Sequence, residues 1–288
     1  MSIEVKHITH IYNKGLPQES AALRDVSFDV ADGEFLGIIG HTGSGKSTLL
    51  QHLDGLLKPD EGQIVINGVD ITAPKVSLLA VRKQIGLVFQ YPEYQLFDET
   101  VAADVAFGPR NLGLDQEEIE ARVRESLRLV NLDYEAIKDK SPFDFSGGQK
   151  RRIAMAGVLA MQPRVLILDE PTAGLDPRAH RDVLEMIRQY HAARPDSIII
   201  LVSHNMNDIA EYADRVLVLD KGQVIFHDTP KEVFAKSAEL RAIGLDIPDL
   251  ADLAEKLTAR GFTVPGDLFT IPEMAQAIAA ALRGGEGA

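Results

Sequence analysis

The run "GHTGSGKS" at residues 40–47 constrains the fold of this chain more than any other feature. It fits G-x-x-x-x-G-K-[ST], follows the strand-like "EFLGII", and precedes Leu49, Leu50, Leu53, Leu56 and Leu57, spaced as one apolar helix face. A strand, a glycine loop and a helix in that order form a phosphate cradle. Glycines let the backbone approach closely, and the helix N-terminus adds positive potential. The cradle then comprises Gly40, His41, Thr42, Gly43, Ser44, Gly45, Lys46, Ser47 and Thr48. Lys46 is expected at the β- and γ-phosphates of a nucleotide, and the Ser47 hydroxyl on Mg²⁺.

Three further strand ends carry chemistry. "VLILDE", residues 165–170, is an apolar run closed by two carboxylates. Asp169 is expected to hold Mg²⁺ through its water shell, and Glu170 to orient and activate the attacking water. Gln90, ending "IGLVFQ", is a candidate for sensing the γ-phosphate or water and for binding the metal. His204 follows the strand-like "SIIILVS" in the same way. No phosphate-accepting hydroxyl substrate is evident, so hydrolysis is the simplest reaction for this set.

Around these motifs the chain alternates strand and helix signals. "IEVKHIT", "LRDVSFDV", "EFLGIIG" and "GQIVING" read as strands in the first third. Residues 91–160 read as mostly helical, with "QEEIEARVRESLRLV" the clearest amphipathic segment. A helix pattern around Val183–Tyr190 lies between the last two buried strands, which implies a mostly parallel sheet covered on both faces. Beyond residue 230, helix starts are expected at Thr229-Pro230, Asp246 and Thr270, each an oxygen-bearing cap three residues ahead of an acid. Leu250, Leu253, Ala254 and Leu257 mark one helix face there, with Gly261 placed to end the helix, and Met274, Ile278, Ala281 and Leu282 mark another. Two such short helices must pack on the main domain, on each other or on another chain. The final "RGGEGA" reads as frayed.

Composition narrows the partners. With 43 acidic and 30 basic residues, the net charge of −13 disfavours non-specific nucleic-acid binding, although the local cluster "QKRR" remains suited to anions. The absence of cysteine excludes disulfides and thiolate metal sites. No apolar run approaches the roughly 18 residues needed to cross a bilayer, and "MSIEVKHITH" lacks signal-peptide character. The expectation is a cytoplasmic chain that reaches a membrane only through a partner.

One stretch fits none of this economy: "FDFSGGQKRR" holds a second, smaller cradle, Ser146, Gly147, Gly148 and Gln149. With "SGGQ" about twenty residues before "LILDE", and motifs running in order from residue 3 to about 230, the chain resembles the ATPase subunit of an ATP-binding cassette transporter. The resemblance implies an α/β P-loop NTPase (RecA-like) core with a mostly parallel sheet. It adds an antiparallel β-subdomain, a helical subdomain over about 91–160, and a short C-terminal helical extension. Residues 1–230 would form the nucleotide-binding domain and 231–288 a helical dimerisation extension. It also implies ATP and Mg²⁺ as ligands, Tyr12 stacking on adenine, and Asp176 of "AGLDP" communicating between sites. The alternative for Tyr12 is packing within the β-subdomain. Where the family signature begins with leucine, this chain has Phe145, which keeps an apolar anchor. In such proteins two ATPases face each other head to tail, so each nucleotide lies between one chain's glycine loop and the other's "SGGQ".

A finer resemblance, carried by "GHTGSGKSTLLQHLDGLLKPDEG" and "VFQYPEYQLFDETVAADVAFGPRNLGL", is to the ATPases of energy-coupling factor importers, of the second of their two types. It implies uptake of a vitamin or transition-metal ion and a second ATPase subunit, identical or paralogous. A transmembrane scaffold would dock near Tyr91–Phe97 at the cytoplasmic face of the membrane, and a substrate-binding membrane subunit would be reached indirectly. Tyr91, Tyr94, Leu96 and Phe97 suit an interface, with internal packing as the alternative. Another importer or exporter remains a rival. A cassette acting on ribosomes or DNA is disfavoured by the single set of motifs and the acidic charge.

Overall fold

The computed structural model describes residues 2–285; of the final "RGGEGA", the last three residues lie outside this range. In chain order the elements are β1 (Ile3–Tyr12), β2 (Ser20–Val30), β3 (Phe35–Ile39), α1 (Lys46–Leu53), β4 (Glu61–Ile66), β5 (Val69–Asp70), α2 (Leu78–Arg82) and β6 (Ile85–Val88). The helical stretch follows with α3 (Val101–Leu112), α4 (Gln116–Leu129), α5 (Tyr134–Ile137) and α6 (Gly147–Leu159). Then come β7 (Val165–Asp169), α7 (Pro177–Ala193), β8 (Ile198–Val202), α8 (Met206–Tyr212), β9 (Arg215–Asp220) and β10 (Gln223–Asp228). The tail holds α9 (Pro230–Phe234), α10 (Ser237–Ala242), α11 (Asp249–Thr258) and α12 (Ile271–Gly285).

Two sheets result. Strands β2, β1, β4 and β5 form an antiparallel sheet. The second runs β10-β9-β3-β8-β7-β6, parallel from β9 to β6 with β10 antiparallel at its edge. Its central strands are buried throughout: every residue of β3 and β8, and Val165–Leu168 of β7. Such strands read as continuous apolar runs because both faces are covered. One core, with Ile153, Tyr190 and Leu201, lies on the side of α6 and α7. The other joins β1, β2 and β4 to α1 through Ile8, Val26, Leu49 and Leu53.

Several expectations shift. Helix α1 stops at Leu53, leaving Leu56 51% exposed instead of on the helix face. Asp246 does not cap α11, whose first turn follows Pro248 with no side-chain cap. Thr229, by contrast, accepts from the Glu232 amide at 3.3 Å, and the Thr270 hydroxyl donates to Glu273 at 2.6 Å. Gly261, at φ +89°, ends α11 as expected, with the Phe262 amide reaching back to the Leu257 carbonyl. Val233, Phe234 and Leu240 join the main core, whereas Ala254, Val264 and Met274 form a small cluster of their own with Leu250, Leu257, Ile278 and Ala281 around it. Leu253 points outward, 37% exposed.

Candidate nucleotide-phosphate site

Four parallel strands, β3, β8, β7 and β6, lie side by side in that order. Their carboxyl ends therefore present, in one row, the loop beginning at Gly40, His204, the pair Asp169–Glu170, and Gln90. Open α/β sheets bind ligands at this edge. A cavity of about 530 Å³ opens there, lined by Thr42, Gly43, Gly45, Lys46, Ser47, Thr48, Gln90, Glu170 and His204, with Ser20, Ala21 and Ala22 of β2 as its far wall.

The loop's shape follows from its glycines. Gly45 sits at φ +104°, where a Cβ would lie 2.6 Å from the Ala22 carbonyl oxygen, so no side chain fits. Lys46 begins α1 and is 7% exposed. Its Nζ donates to the Gly40 and His41 carbonyls at 2.5 and 3.1 Å, holding the cation across the loop. Burial lowers its pKa, while Glu170 and Asp169 act in the opposite direction. Asp169 is raised, chiefly by burial and then by the adjacent Glu170 charge, and Lys46 and a hydrogen bond with Ser47 oppose that rise. This site pairs a half-buried carboxylate with a hydroxyl oxygen, the hard donor set that suits Mg²⁺. Among the described residues no group of three or more His, Cys, Asp or Glu could hold a metal, so a cation here needs phosphate or water oxygens to complete its shell.

Glu170 is the most constrained residue of the row. Its φ of +50° is unusual for a side chain with a Cβ, and its amide donates to the Val202 carbonyl at 3.0 Å. The His204 Nε2 lies 2.7 Å from one carboxylate oxygen, and the Gln90 amide donates to the other at 3.3 Å. Sequence order had placed these three groups far apart; the sheet brings them together.

Other candidates fall differently. Tyr12, at the end of β1, is 39% exposed, with its hydroxyl 3.3 Å from that of Thr48. The hydroxyl thus meets a residue of the cavity wall, while the ring packs edge to face on His10 of the same strand, centroids 4.5 Å apart. His41 does not line the cavity with its ring: Nε2 meets Asp220 at 2.7 Å and Nδ1 meets the Thr42 carbonyl at 2.7 Å, so the side chain braces the loop. Ser44 is fully buried and supports the loop from behind. Ser146, Gly148, Gln149 and Asp176 line a separate cavity of about 390 Å³ that shares no lining residue with the first, and Gly147 opens α6 beside them. There Ser146 and Gln149 form a reciprocal capping box, and Asp176 caps α7 by accepting from the Arg178 and Ala179 amides at 2.9 and 3.0 Å. The basic run does not stay open to anions as a unit, because Arg151 is 3% exposed. Phe145 packs partly buried against the main core, as an apolar anchor should. In the Tyr91–Phe97 segment, Tyr94 and Phe97 are 83% and 59% exposed, but Leu96 belongs to the core. Sequence reasoning missed Ser20–Ala22, whose small side chains carry no chemical signal.

Comparison with known proteins agrees with this geometry. The family described as ABC transporter matches residues 23–173. The energy-coupling factor transporter ATP-binding protein EcfA2 of Caldanaerobacter subterraneus subsp. tengcongensis is 54% identical, covering 99% of both chains. Its namesake in Clostridioides difficile is 55% identical over the same shares. Among solved structures, cbiO1 of Clostridium perfringens, part of the ABC transporter complex cbiONQ, superposes with a TM-score of 0.73 at 38% identity, covering 88% of this chain and 98% of that one. The ATP-binding cassette MJ0796, solved as a dimer in a post-hydrolysis state with ADP and Pi, gives 0.70 at 28% identity, covering 79% and 98%. The chain belongs to the ABC transporter family.

Proposed function

We propose that the chain is the ATP-hydrolysing subunit of an energy-coupling factor type importer. The observation that carries this reading is the Glu170 carboxylate, held by His204 and Gln90 in the same cavity as Lys46 and the glycine loop. Lys46 and the loop amides bind the phosphates, and Tyr12 stacks on the base. Glu170 accepts a proton from the attacking water while His204 and Gln90 fix its two oxygens. When bound, Mg²⁺ would be held by Ser47 and Asp169, near Gln90, and would neutralise developing charge on the phosphates.

The cradle at Ser146, Gly147, Gly148 and Gln149 opens into its own cavity, so in this reading it serves the nucleotide of a second ATPase subunit, with Asp176 beside that junction. A conformational state is favoured by ATP only through contacts that the other state lacks, and this split arrangement supplies them. The segment Tyr91–Phe97 meets a transmembrane scaffold. Leu79, Phe97, Phe107 and Met161 line an apolar groove of about 370 Å³ there, and the first three are 66%, 59% and 48% exposed. No described helix is long and apolar enough to cross a membrane. Membrane attachment at the cytoplasmic face therefore runs through that scaffold, and the substrate-binding membrane subunit is reached through it. The helices after residue 230 contribute to pairing of the ATPases.

Glu170→Gln tests the reading. The variant should bind ATP, lose about 10²–10⁴-fold in turnover, and accumulate as a nucleotide-bound dimer on size exclusion. Near-native hydrolysis would remove Glu170 from the base role.

A further inference from the structure

Arg151 has no part in the reaction described so far, yet it lies where three functional segments meet. It sits on the first turns of α6, five residues beyond Ser146, and lines the second cavity with Ser146, Gly148 and Gln149. Its Nη1 donates to the Ala173 carbonyl at 2.7 Å and its Nη2 to the Glu170 carbonyl at 3.1 Å. That second acceptor also receives the Ala173 amide at 3.1 Å, so the guanidinium clasps the turn that follows the catalytic carboxylate. On its other side the guanidinium carbon is 5.9 Å from the Tyr91 ring centroid, and the 3-10 turn Pro92–Gln95 packs on α6. Glu93 of that turn keeps a buried carboxylate oxygen without a hydrogen-bond partner, as does the Arg151 Nε.

A guanidinium at 3% exposure is an expensive way to fill space, because burying a charge is unfavourable unless its partners require it. Burial lowers the Arg151 pKa, and Glu93 followed by Tyr91 opposes that shift, so both favour the cation. On one side its partners are carbonyls of the catalytic turn; on the other the Tyr91 ring faces it, and the Glu93 carboxylate of the same segment acts on it as a charge without a hydrogen bond. Glu170 needs such a clasp: its left-handed backbone is held by β8 through its amide and by Arg151 through its carbonyl.

We propose that Arg151 is a positioning residue that sets the Glu170 carboxylate. It joins the catalytic turn both to the Tyr91–Phe97 segment and to the Ser146–Gln149 cradle, so displacement of either reaches Glu170 through one guanidinium. Glu93 completes the link from the segment's side. This rests on the ATPase reading above.

The test is steady-state hydrolysis by the chain with its ATPase partner, using Arg151→Gln, Arg151→Lys, Glu93→Gln and the Arg151→Gln/Glu93→Gln double variant. Arg151→Gln should lower kcat about tenfold or more while KM for ATP stays within about twofold, because Lys46 and the glycine loop are untouched. Arg151→Lys, which can donate to one carbonyl at a time, should recover part of the loss. Glu93→Gln should lower kcat in the native background and add nothing in the Arg151→Gln background. A folded Arg151→Gln with native kcat overturns the proposal, and so does a Glu93→Gln loss of equal size in both backgrounds. If Arg151→Gln fails to fold, the same Glu93→Gln comparison in Arg151→Lys decides: a reduced effect supports the link and a full effect overturns it. A native complex that hydrolyses no ATP would instead defeat the underlying assignment of function.

Discussion

Individual residues here act through what surrounds them. The loop carbonyls hold the Lys46 charge in place at the cavity where the proposed function puts the phosphates. Lys46→Ala should therefore weaken ATP binding about 10- to 100-fold by calorimetry, the range for losing charge-assisted hydrogen bonds. Unchanged affinity would contradict the assignment. His52 offers a pH test away from the chemistry. It is fully buried behind Tyr12 and His10, and its pKa drops from 6.5 to about 4, first through burial and then through His10. The unfolded chain then binds the proton and the folded one does not. The stabilising contribution is thus present above about pH 6.5 and lost as pH falls towards 4, by about 1.4 kcal/mol per unit. Asp54, raised to about 6 by burial, works in the opposite sense, so the comparison must be with a variant. Between about pH 5 and 6.5, unfolding free energies from denaturant titrations should rise less with pH, or fall more, in His52→Gln than in the native chain, and an identical pH dependence would contradict the buried-neutral state.

Elements decide which of these residues were legible in sequence. The glycine loop, the acid pair and the apolar strands before them were readable because each has a local cause: positive φ at Gly45, a carboxylate where a strand should end, both faces of β3 and β8 covered. The hairpin β9–β10 was not. Its two-residue turn, Lys221-Gly222 with both φ positive, lacks the Asn-Gly signature that announces such turns. Nor could the sequence show that β8 lies between β3 and β7, which is what puts His204 against Glu170. Leu56 and Leu96 misled for related reasons: an apolar residue at the right spacing is on a face only while the helix lasts, and a residue in an aromatic-rich segment can still face inward. The groove beside the 3-10 turn gives the test at this scale. Phe97 meets Phe107 edge to face, with centroids 4.9 Å apart, and Tyr94 stands almost free. Tyr94→Ala with Phe97→Ala should cut uptake by reconstituted vesicles on the order of tenfold, and reduce ATP hydrolysis far less. Intact uptake would assign both rings to packing.

At the scale of the whole molecule, the two cradles explain each other. One chain holds a complete glycine loop in one cavity and a short Ser-Gly-Gly-Gln cradle in another, and no residue lines both. The hydroxyl of Ser146 is meanwhile engaged by Gln149 at 3.0 Å, a contact that a nucleotide brought by a second subunit would have to replace. The dimeric state of the MJ0796 cassette fits that division of labour. On the proposed function, hydrolysis belongs to a pair of subunits. The most direct measurement is turnover per chain across a dilution series, with molar mass followed by light scattering in the same sample. Activity should follow the two-subunit species and vanish with it. A species of 31.5 kDa that hydrolyses ATP at an undiminished rate per chain would contradict the account.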